Sequence, residues 1–425
     1  MLLQALGDPA RGGGLHAQAP AAGGPVKPLT ARAQIGVVGL GTIGSEELAL
    51  WRRSGHPAVG FDTSRTRVQA QELLGQGGDD ASGLTSRFSD LASCDALVLC
   101  LPNLDSQGEL TLKAFDQFLD KIWTFEPAER LIVVASTVPV GFTREFANRL
   151  GEHGRLVAHV PERFDPGRST SLGEIPRVAG ATSKEALDLT VDLYSRVGVT
   201  ITPVDPVEVA EASKLLENAF RLVNIAFINE FAELCRRMGI TAADVIDAAA
   251  TKPFAFMKHT PGVGAGGTCI PTVSKYLLEA ASHNDLELPI LRDAVDGNAH
   301  LVERVVAHLD QLLRANSVSR ARVLVVGASY KPNYPDTRGS AALRFARELG
   351  ARHKVTVYDP IVDTTRWPSD LALVREPPRP ASYDAVVVAV RHRQVDLDAL
   401  RQAGPIFIDL VRGSVEVDES IPTRK

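Results

Sequence analysis

The 425-residue sequence contains few cysteines, and the four it has, Cys94, Cys100, Cys235 and Cys269, are widely separated. Their spacing matches neither a metal site nor a disulfide framework, which is typical of a reducing cytosol. We therefore expect a cytoplasmic protein without a structural metal.

The sequence also lacks an excess of positive charge and any long apolar run. Lysine and arginine number 46 against 51 acidic residues, a formal net charge of -5. This balance argues against nucleic acid or an anionic membrane as partner, so local donors must hold any phosphate ligand. No apolar run reaches the roughly 18 residues that predict a membrane span.

Four segments of different texture follow one another. Residues 1–33 are rich in glycine, alanine and proline, lack the apolar stretch of a secretory signal and predict a disordered leader. Residues 34–205 alternate short apolar runs with helical periods, as at ALVLCLP (96–102) and LIVVAST (131–137). Nearly continuous apolar strands between helices indicate a parallel sheet covered on both faces.

From residue 206 the pattern becomes helical. More than thirty residues, beginning VEVAEASKLLENAF, show a helical period without glycine or proline until the end, and more helix follows up to about residue 315. Its excess of apolar faces predicts a homodimer through this central helix. Residues 316–425 return to strand, loop, helix and strand. The prediction is an α/β chain of two Rossmann-like parallel-sheet domains joined by a long central helix and helical connector.

A dinucleotide turn stands at the start of the first domain. Gly39, Gly41 and Gly44 form G-x-G-x-x-G between a predicted strand and helix, and Asp62 ends the next strand. Such glycines let the backbone approach a pyrophosphate at the helix N-terminus, and the acid binds ribose hydroxyls while repelling a 2′-phosphate. NAD is the expected cofactor. Glu46 and Glu47 add charge in the first helical turn, and the sequence leaves their direction open.

Lys214 and Asn218 lie four residues apart on the long helix, so both project from one face. A helical lysine is usually a solvated surface residue. Cys269 lies in the glycine-rich stretch PGVGAGGTCIP, although a single cysteine is more often a small buried apolar residue. The residues alone leave both interpretations open.

From residue 34 onward the chain resembles the UDP-glucose/GDP-mannose dehydrogenase family, and most closely its bacterial UDP-glucose and UDP-N-acetylhexosamine dehydrogenases. The matching stretches are GLGTIG, STVPVGFT (136–143), VPERFDPG (160–167), EASKLLENAFRLVNIAFINEFA (211–232), TKPFAFM (251–257), PGVGAGGTCIP (261–271), YKPNYPDTRGS (330–340) and VTVYDP (355–360).

This resemblance implies a four-electron oxidation of a UDP-sugar at C6 with two NAD per turnover. Cys269 would trap the aldehyde as a thiohemiacetal and then carry a thioester, which is covalent catalysis. Lys214 would stabilise the oxyanion on O6, with Asn218 as its hydrogen-bonding partner. Thr137 and Glu162 would lie around the catalytic water and the sugar.

The resemblance also distributes binding roles. Residues expected at the cofactor are Gly39, Gly41, Thr42, Ile43, Gly44, Asp62, Arg67, Pro102, Ser136, Thr137 and Arg338. Residues expected at the substrate are Glu162, Arg163, Phe164, Lys214, Asn218, Phe256, Gly264, Gly266 and Lys331.

The sequence departs from the family at several positions. Val273 replaces an aspartate that orders and deprotonates the catalytic water, and such general-base contributions are about 10²–10⁴-fold. Asn103 replaces a threonine beside the nicotinamide, Ser45-Glu46-Glu47 replaces an apolar run, and Gly339 replaces a glutamate.

Three interpretations stay open. The first is full oxidation to the uronic acid, with Glu162 or a rearranged water covering for the aspartate. The second is altered chemistry that stops at the aldehyde, hydrolyses the thioester slowly or uses an unusual sugar nucleotide. The third is a catalytically silent nucleotide-sugar binder. A two-domain β-hydroxyacid dehydrogenase is a further alternative, disfavoured by the third region after Arg322.

Overall fold

Short apolar strands that alternate with helices form two separate sheets. In this computed structural model the described residues are 28–66, 68, 83–105, 109–126, 130–165, 172–267, 270–316, 318, 320–379, 382–404 and 406–417. The chain divides into two units, residues 1–216 and 217–425.

The first unit contains an eight-stranded sheet over its described residues, in the order β3-β2-β1-β4-β5-β6-β7-β8. Neighbouring strands are parallel except β6 and β7. The strands are β1 Ile35–Val38, β2 Ala58–Phe61, β3 Leu84–Thr85, β4 Ala96–Leu99, β5 Leu131–Val134, β6 Val157–His159, β7 Arg177–Ala181 and β8 Ile201–Pro203. The helices of this unit are α1 Thr42–Arg53, α2 Lys113–Ile122, α3 Phe142–Leu150 and α4 Lys184–Ser195.

Both faces of this sheet are buried. Val37 and Val98 belong to an apolar cluster on one face, and Val38 and Leu99 belong to a second cluster on the other. Successive side chains of a strand point to opposite faces, so a strand without polar residues requires cover on both sides. The helices provide that cover, as the apolar runs predict.

The second unit repeats the plan with a six-stranded sheet over its described residues, in the order β11-β10-β9-β12-β13-β14. Only the last pair, β13 and β14, is antiparallel. The strands are β9 Arg322–Val326, β10 Lys354–Tyr358, β11 Ala372–Val374, β12 Ala385–Val388, β13 Ile406–Asp409 and β14 Ser414–Val417. The helices are α6 Ala242–Ala250, α7 Ile270–His283, α8 Pro289–Ala299, α9 Leu301–Ala315, α10 Ala341–Gly350 and α11 Leu397–Arg401.

The predicted long helix, α5, runs over Val207–Met238, beginning in the first unit and ending in the second. Its first turns are fastened to α3. The buried carboxylate of Glu211 accepts the backbone N–H groups of Gly141 at 2.5 Å and Thr143 at 2.7 Å, which have no partners within their own helix. Arg144 adds an ion pair to Glu208 at 2.7 Å. These bonds anchor to the first unit the N-terminal turns of α5, which carry Lys214.

The predicted fold class is therefore confirmed: two parallel-dominated Rossmann-like sheets and a long central helix. Residues 28–33 of the predicted leader contribute to the first unit, because Arg196 donates to the carbonyl of Leu29 at 2.9 Å and Ala33 is fully buried. The domain boundaries at 205/206 and 315/316 stay predictions. No helix in the described ranges is both long enough and apolar enough to cross a membrane.

Candidate active site

The glycine turn lies between β1 and α1, at the carboxyl edge of the first sheet. The N–H of Gly39 donates to the carbonyl of Phe61 at 2.8 Å, and Gly39 has φ +97°, a conformation that favours glycine. Gly41 is the N-cap of α1, and it provides no side-chain hydrogen bond. Thr42 and Ile43 are the first two residues of the helix. The start of α1 therefore has no side-chain cap from Gly41, and helix N-termini of this kind suit an anionic ligand.

The third glycine has a packing role. A Cβ built on Gly44 would stand 1.7 Å from the carbonyl oxygen of Gly39 and 3.2 Å from the Cβ of Cys100. In contrast, a Cβ on Gly41 would have no heavy atom within 4 Å. The turn thus contains one glycine that allows α1 to pack on the sheet and one that leaves space above the backbone.

Asp62 lies directly after β2 and is buried. Its Oδ2 accepts the N–H of Leu40 at 2.9 Å, and its Oδ1 accepts the N–H of Ser64 at 2.8 Å. The acid therefore holds the glycine turn against β2. A contact to ribose hydroxyls stays a prediction.

The loops after β4 and β5 are tied together. The side-chain amide of Asn103 donates to the carbonyl of Thr137 at 2.9 Å, and the hydroxyl of Ser136 donates to the carbonyl of Leu101 at 2.8 Å. Pro102, between these partners, is exposed. Asn103 thus links the loops that follow β4 and β5, two neighbouring parallel strands.

Glu162 follows β6 and is buried. Its Oε1 accepts the backbone N–H groups of Arg163 at 2.7 Å and Phe164 at 2.6 Å, while its Oε2 lies 3.2 Å from Nη2 of Arg177. Arg177 is the first residue of β7 and is fully buried. Glu162 therefore has its charge balanced on one oxygen by backbone amides and on the other by a guanidinium.

The direction of Glu47, left open by the sequence, is inward. The helix begins at Thr42, so Glu46 and Glu47 lie in its second turn and not in the first. Glu47 is fully buried, and its Oε1 accepts a hydrogen bond from Nη1 of Arg177. Burial raises the pKa of Glu47 to about 7, although the nearby Arg177 acts to lower it.

Lys214 and Asn218 lie one turn apart on α5, as predicted. Lys214 is half-buried and Asn218 is buried. Within the described ranges the Nδ2 of Asn218 has no hydrogen-bond partner. An unpartnered buried amide is uncommon, because its desolvation costs about 1–3 kcal/mol.

In the second unit, the glycine-rich loop of residues 261–267 is held by two asparagines. Asn229 accepts the N–H of Gly262 at 2.9 Å, and Asn298 accepts the N–H of Ala265 at 2.7 Å. The loop also lies against the backbone after Arg338: the N–H of Gly267 donates to the carbonyl of Gly339 at 3.1 Å.

This close approach explains Gly339. A Cβ there would stand 2.9 Å from the carbonyl oxygen of Gly267, and Gly339 has φ +62°. A Cβ on Gly266 would in turn meet the Gly339 oxygen at 2.9 Å. Gly264, with φ +116°, is another glycine of this loop that a side chain would strain.

The segment between β9 and α10 presents the other predicted residues of this unit. The ammonium of Lys331 lies 5.0 Å from the ring centre of Tyr334 and 5.7 Å from that of Tyr330. Arg338 pairs with Asp336, with Nη2 and Oδ2 2.5 Å apart, and this hydrogen bond raises the pKa of Arg338. Phe256 is exposed.

Two predicted site residues, Arg67 and Cys269, lie outside the residues whose side chains the structure describes. Val273, four residues after the cysteine, is on α7 and only 2% exposed. Its burial and its lack of a proton-accepting atom distinguish it from the aspartate that the resemblance predicts at this position.

Comparison with known proteins settles the family. The UDP-glucose/GDP-mannose dehydrogenase central domain matches residues 208–300, and the UDP binding domain of the same family matches residues 324–412. A UDP-N-acetyl-D-mannosamine dehydrogenase of Pyrococcus horikoshii is 30% identical over 387 residues, which cover 84% of this chain and 89% of the relative. The chain belongs to the UDP-glucose/GDP-mannose dehydrogenase family.

Two further comparisons agree with this membership. A UDP-N-acetyl-D-glucosamine 6-dehydrogenase of Pseudomonas aeruginosa is 30% identical over 391 residues, covering 85% of this chain and 91% of the relative. The solved UDP-D-ManNAc dehydrogenase of Pyrococcus horikoshii is 28% identical and has a TM-score of 0.76, covering 90% of this chain and 96% of that structure. The resemblance found in the sequence is thus confirmed, and the chain is an oxidoreductase.

Sequence reasoning missed the buried partners of the family residues. Glu47 is three residues after Gly44 and four before Trp51, two other buried positions of α1, so its place on the buried stripe was a usable signal. Arg177, 130 residues away, offered no local signal. Asn229 and Asn298 were equally hidden, because their partners are backbone groups of a distant loop.

Proposed function

We propose that this dehydrogenase oxidises the C6 hydroxymethyl of a UDP-hexose to the uronic acid with NAD as hydride acceptor. The observation that carries the proposal is the glycine turn closed by Asp62, in a chain that keeps Lys214 and Asn218 one turn apart on α5. The two relatives described above are named for UDP-sugars, which supports a UDP-sugar here.

The residues present fit NAD. The open space above Gly41 and the uncapped start of α1 suit a pyrophosphate, which backbone N–H groups and the helix dipole attract. The carboxylate of Asp62 disfavours the 2′-phosphate of NADP by charge repulsion. When bound, NAD supplies the chemistry of hydride acceptance. The protein's own contribution is to orient the cofactor and the sugar.

Lys214 is assigned the role of stabilising negative charge on O6 as the sugar hydroxyl loses its proton. The unpartnered Nδ2 of Asn218 supports a hydrogen bond from this side chain to the same part of the substrate. Lys331, Phe256 and the glycine loop are assigned to the nucleotide end of the substrate.

The second oxidation is assigned to Cys269. Its sulfur adds to the aldehyde carbon to form a thiohemiacetal, and loss of a second hydride leaves a thioester. Water then attacks the thioester carbon, the carbon–sulfur bond breaks, and the acid leaves with the thiol restored. In the absence of an acid at position 273, Glu162 is the carboxylate assigned to the water.

A second candidate function is supported by the burial of Val273. Its side chain is buried on α7 and has no proton-accepting atom. Loss of the family base favours an enzyme that releases the aldehyde or hydrolyses the thioester slowly.

We also propose a homodimer formed through α5. Phe220, Phe227 and Leu234 are large, exposed and spaced by seven residues, and Met238 extends the same stripe. Exposed apolar stripes of this kind mark protein interfaces. A cytoplasmic location is proposed from the widely spaced cysteines.

The test is the ratio of NADH formed to sugar consumed with UDP-glucose, UDP-N-acetylglucosamine and UDP-N-acetylmannosamine. Two NADH per sugar with a uronic acid product supports full oxidation. One NADH with an aldehyde product supports the second candidate. Binding of a UDP-sugar with no NADH from any of the three rejects both in favour of a silent binder.

A cysteine variant separates the two oxidations. Cys269→Ser should block the second oxidation more strongly than the first, so the ratio falls towards one NADH per sugar. Cys235→Ser, which changes a buried cysteine of α5, is the matched control and should keep the ratio of the unmodified enzyme. Equal loss of both oxidations in Cys269→Ser would contradict a covalent role.

A further inference from the structure

A buried cluster of three ionisable side chains lies behind Glu162. Glu47 comes from α1, Arg177 from β7 and Glu162 from the loop after β6, and none is more than 7% exposed. Arg177 donates to Glu47 through Nη1, and its Nη2 lies 3.2 Å from Oε2 of Glu162. One guanidinium therefore stands between two carboxyl groups.

The charges of this cluster do not balance when all three groups are ionised. Two further titratable groups interact with it: Tyr194 of α4, whose ring centre is 5.1 Å from the Arg177 guanidinium carbon, and Cys100 after β4. Burial raises the pKa of the Tyr194 hydroxyl and of the Cys100 thiol, so both stay neutral. A fully ionised cluster would leave one uncompensated negative charge in the interior, which is costly.

Other elements packed against α1 do not supply the missing positive charge. Asp62, after β2, is acidic and binds backbone amides, and Glu174 in the adjacent turn Leu172–Glu174 is acidic and exposed. Among the described residues, a single bound proton is therefore the means of neutralising the cluster that the structure offers.

The two carboxyl groups differ in their hydrogen bonds. Glu162 accepts two backbone N–H groups on Oε1. Over the described part of the chain, the Oε2 atoms of both residues lack a hydrogen-bond partner, so the two backbone N–H groups on Oε1 of Glu162 make the difference. Burial raises the pKa of Glu47 to about 7. The proton is therefore best placed on Glu47, so that Arg177 forms its ion pair with Glu162.

We propose that Glu47 is a positioning residue that holds one proton behind the Arg177–Glu162 pair and, on losing it, competes with Glu162 for Arg177 and so leaves more of the negative charge of Glu162 to act on the water. With Glu47 neutral, Arg177 pairs with Glu162 alone. With Glu47 ionised, the two carboxylates share one guanidinium, and less of the Arg177 charge opposes the negative charge that Glu162 presents to the water. The inference rests on the proposed function in one respect, the action of Glu162 on the water that releases the acid.

The variant Glu47→Gln tests the proposal, because it keeps a hydrogen-bond acceptor for Arg177 but cannot ionise. The matched control is Glu46→Gln, the same change one residue earlier on α1. The rate of acid release is measured in single turnovers from pH 5.5 to 8.5. For the unmodified enzyme and Glu46→Gln, we expect the rate of acid release to rise with pH and its pH profile to bend near pH 7. For Glu47→Gln, we expect the pH profile to lack this bend.

At pH 8.5 the Glu47→Gln enzyme should be about three- to tenfold slower in this step, with KM for NAD and sugar unchanged. At pH 5.5 the rates should coincide. A bend that persists in Glu47→Gln overturns the proposal. If this variant does not fold, Glu47→Asp replaces it: its shorter acid stands back from Arg177 and should move the bend, and an unmoved bend overturns the proposal.

A measurement that needs no turnover separates this inference from the proposed function. Infrared titration counts protonated carboxyl groups at pH 6, where Glu211, whose pKa burial also raises to about 7, contributes equally to all samples. We expect Glu47→Gln to lose one protonated carboxyl relative to Glu46→Gln, and an equal count overturns the proposal. Absence of turnover with every UDP-sugar would reject the proposed function while leaving this count decisive for Glu47.

Discussion

Replacing Gly44 by alanine places a methyl group where the first unit already holds backbone. The new Cβ would be 1.7 Å from the carbonyl oxygen of Gly39, in a turn that cannot move without displacing β1. Since the obstacle is main chain and not a flexible side chain, α1 must shift away from the sheet. Overpacking of this severity costs about 3 kcal/mol or more. For a unit of about 200 residues, that loss lowers Tm by about 6–12 °C.

Gly41→Ala is the matched control, because its Cβ would have no heavy atom within 4 Å and its φ of -71° suits alanine. Alanine is a poorer N-cap than glycine but restricts the unfolded chain, and these two effects of about 0.5–1 kcal/mol oppose each other. We expect Tm to change little. The methyl group would, however, occupy the space proposed for the NAD pyrophosphate, so NAD affinity should fall at least about tenfold.

Thermal unfolding and calorimetric NAD titration of both variants check this pair. The expected pattern is a large loss of stability in Gly44→Ala and a selective loss of NAD affinity in Gly41→Ala. A Gly44→Ala protein with unchanged Tm would refute the packing argument. Unchanged NAD affinity in a stable Gly41→Ala protein would refute the placement of the pyrophosphate over this turn.

Three further variants test other parts of the molecule. Burial lowers the pKa of His159 to about 3, whereas the unfolded residue takes a proton below its ordinary 6.5, so the native state loses stability as pH falls through 6.5. His159→Phe should therefore improve stability by about 2 kcal/mol more at pH 5 than at pH 7.5 in urea unfolding, and equal effects at both pH values would contradict this. Val273→Asp should speed acid release because it adds a proton acceptor, and it should lower Tm because it buries a carboxylate. Val273→Asn should lower Tm without speeding acid release. Equal release rates in the two variants would exclude a missing base as the cause of slow release. Phe227→Lys should convert the dimer to a monomer, as measured by sedimentation. Leu286→Lys, which changes a similarly exposed residue outside α5, should leave the dimer intact. A Phe227→Lys protein that remains a dimer would count against α5 as the interface.

The elements that the sequence predicts well are those whose signal is local. The run from Gln34 predicts β1, the glycine turn and α1 because each has its own period or turn residues within about 25 positions. Asp62 is found at the end of β2 for the same reason. The long helix α5 is equally plain, because a helical period persists over 32 residues without a breaker.

What the sequence could not predict are contacts between distant segments. The bond from Asn103 to the Thr137 carbonyl and the approach of Gly339 to Gly267 depend on which loops the topology brings together. In the sequence, Asn103 and Gly339 stand out only as departures from the family. The structure explains both residues by their contacts with backbone groups of distant segments. Every residue carries such groups, so no sequence motif reveals these contacts.

The departures from the family are consequently of two physical kinds. Asn103 binds a carbonyl, Gly339 makes space for a neighbouring backbone, and Glu47 meets a buried guanidinium. Each of these residues therefore has a partner within its own unit. Val273 differs, because a buried valine fills space but has no atom that can accept a proton. Release of the acid, the step that uses a proton acceptor, is therefore where we expect this enzyme to differ most from its relatives, and the buried Glu47–Arg177–Glu162 cluster of the first unit is the group of side chains that we propose tunes Glu162.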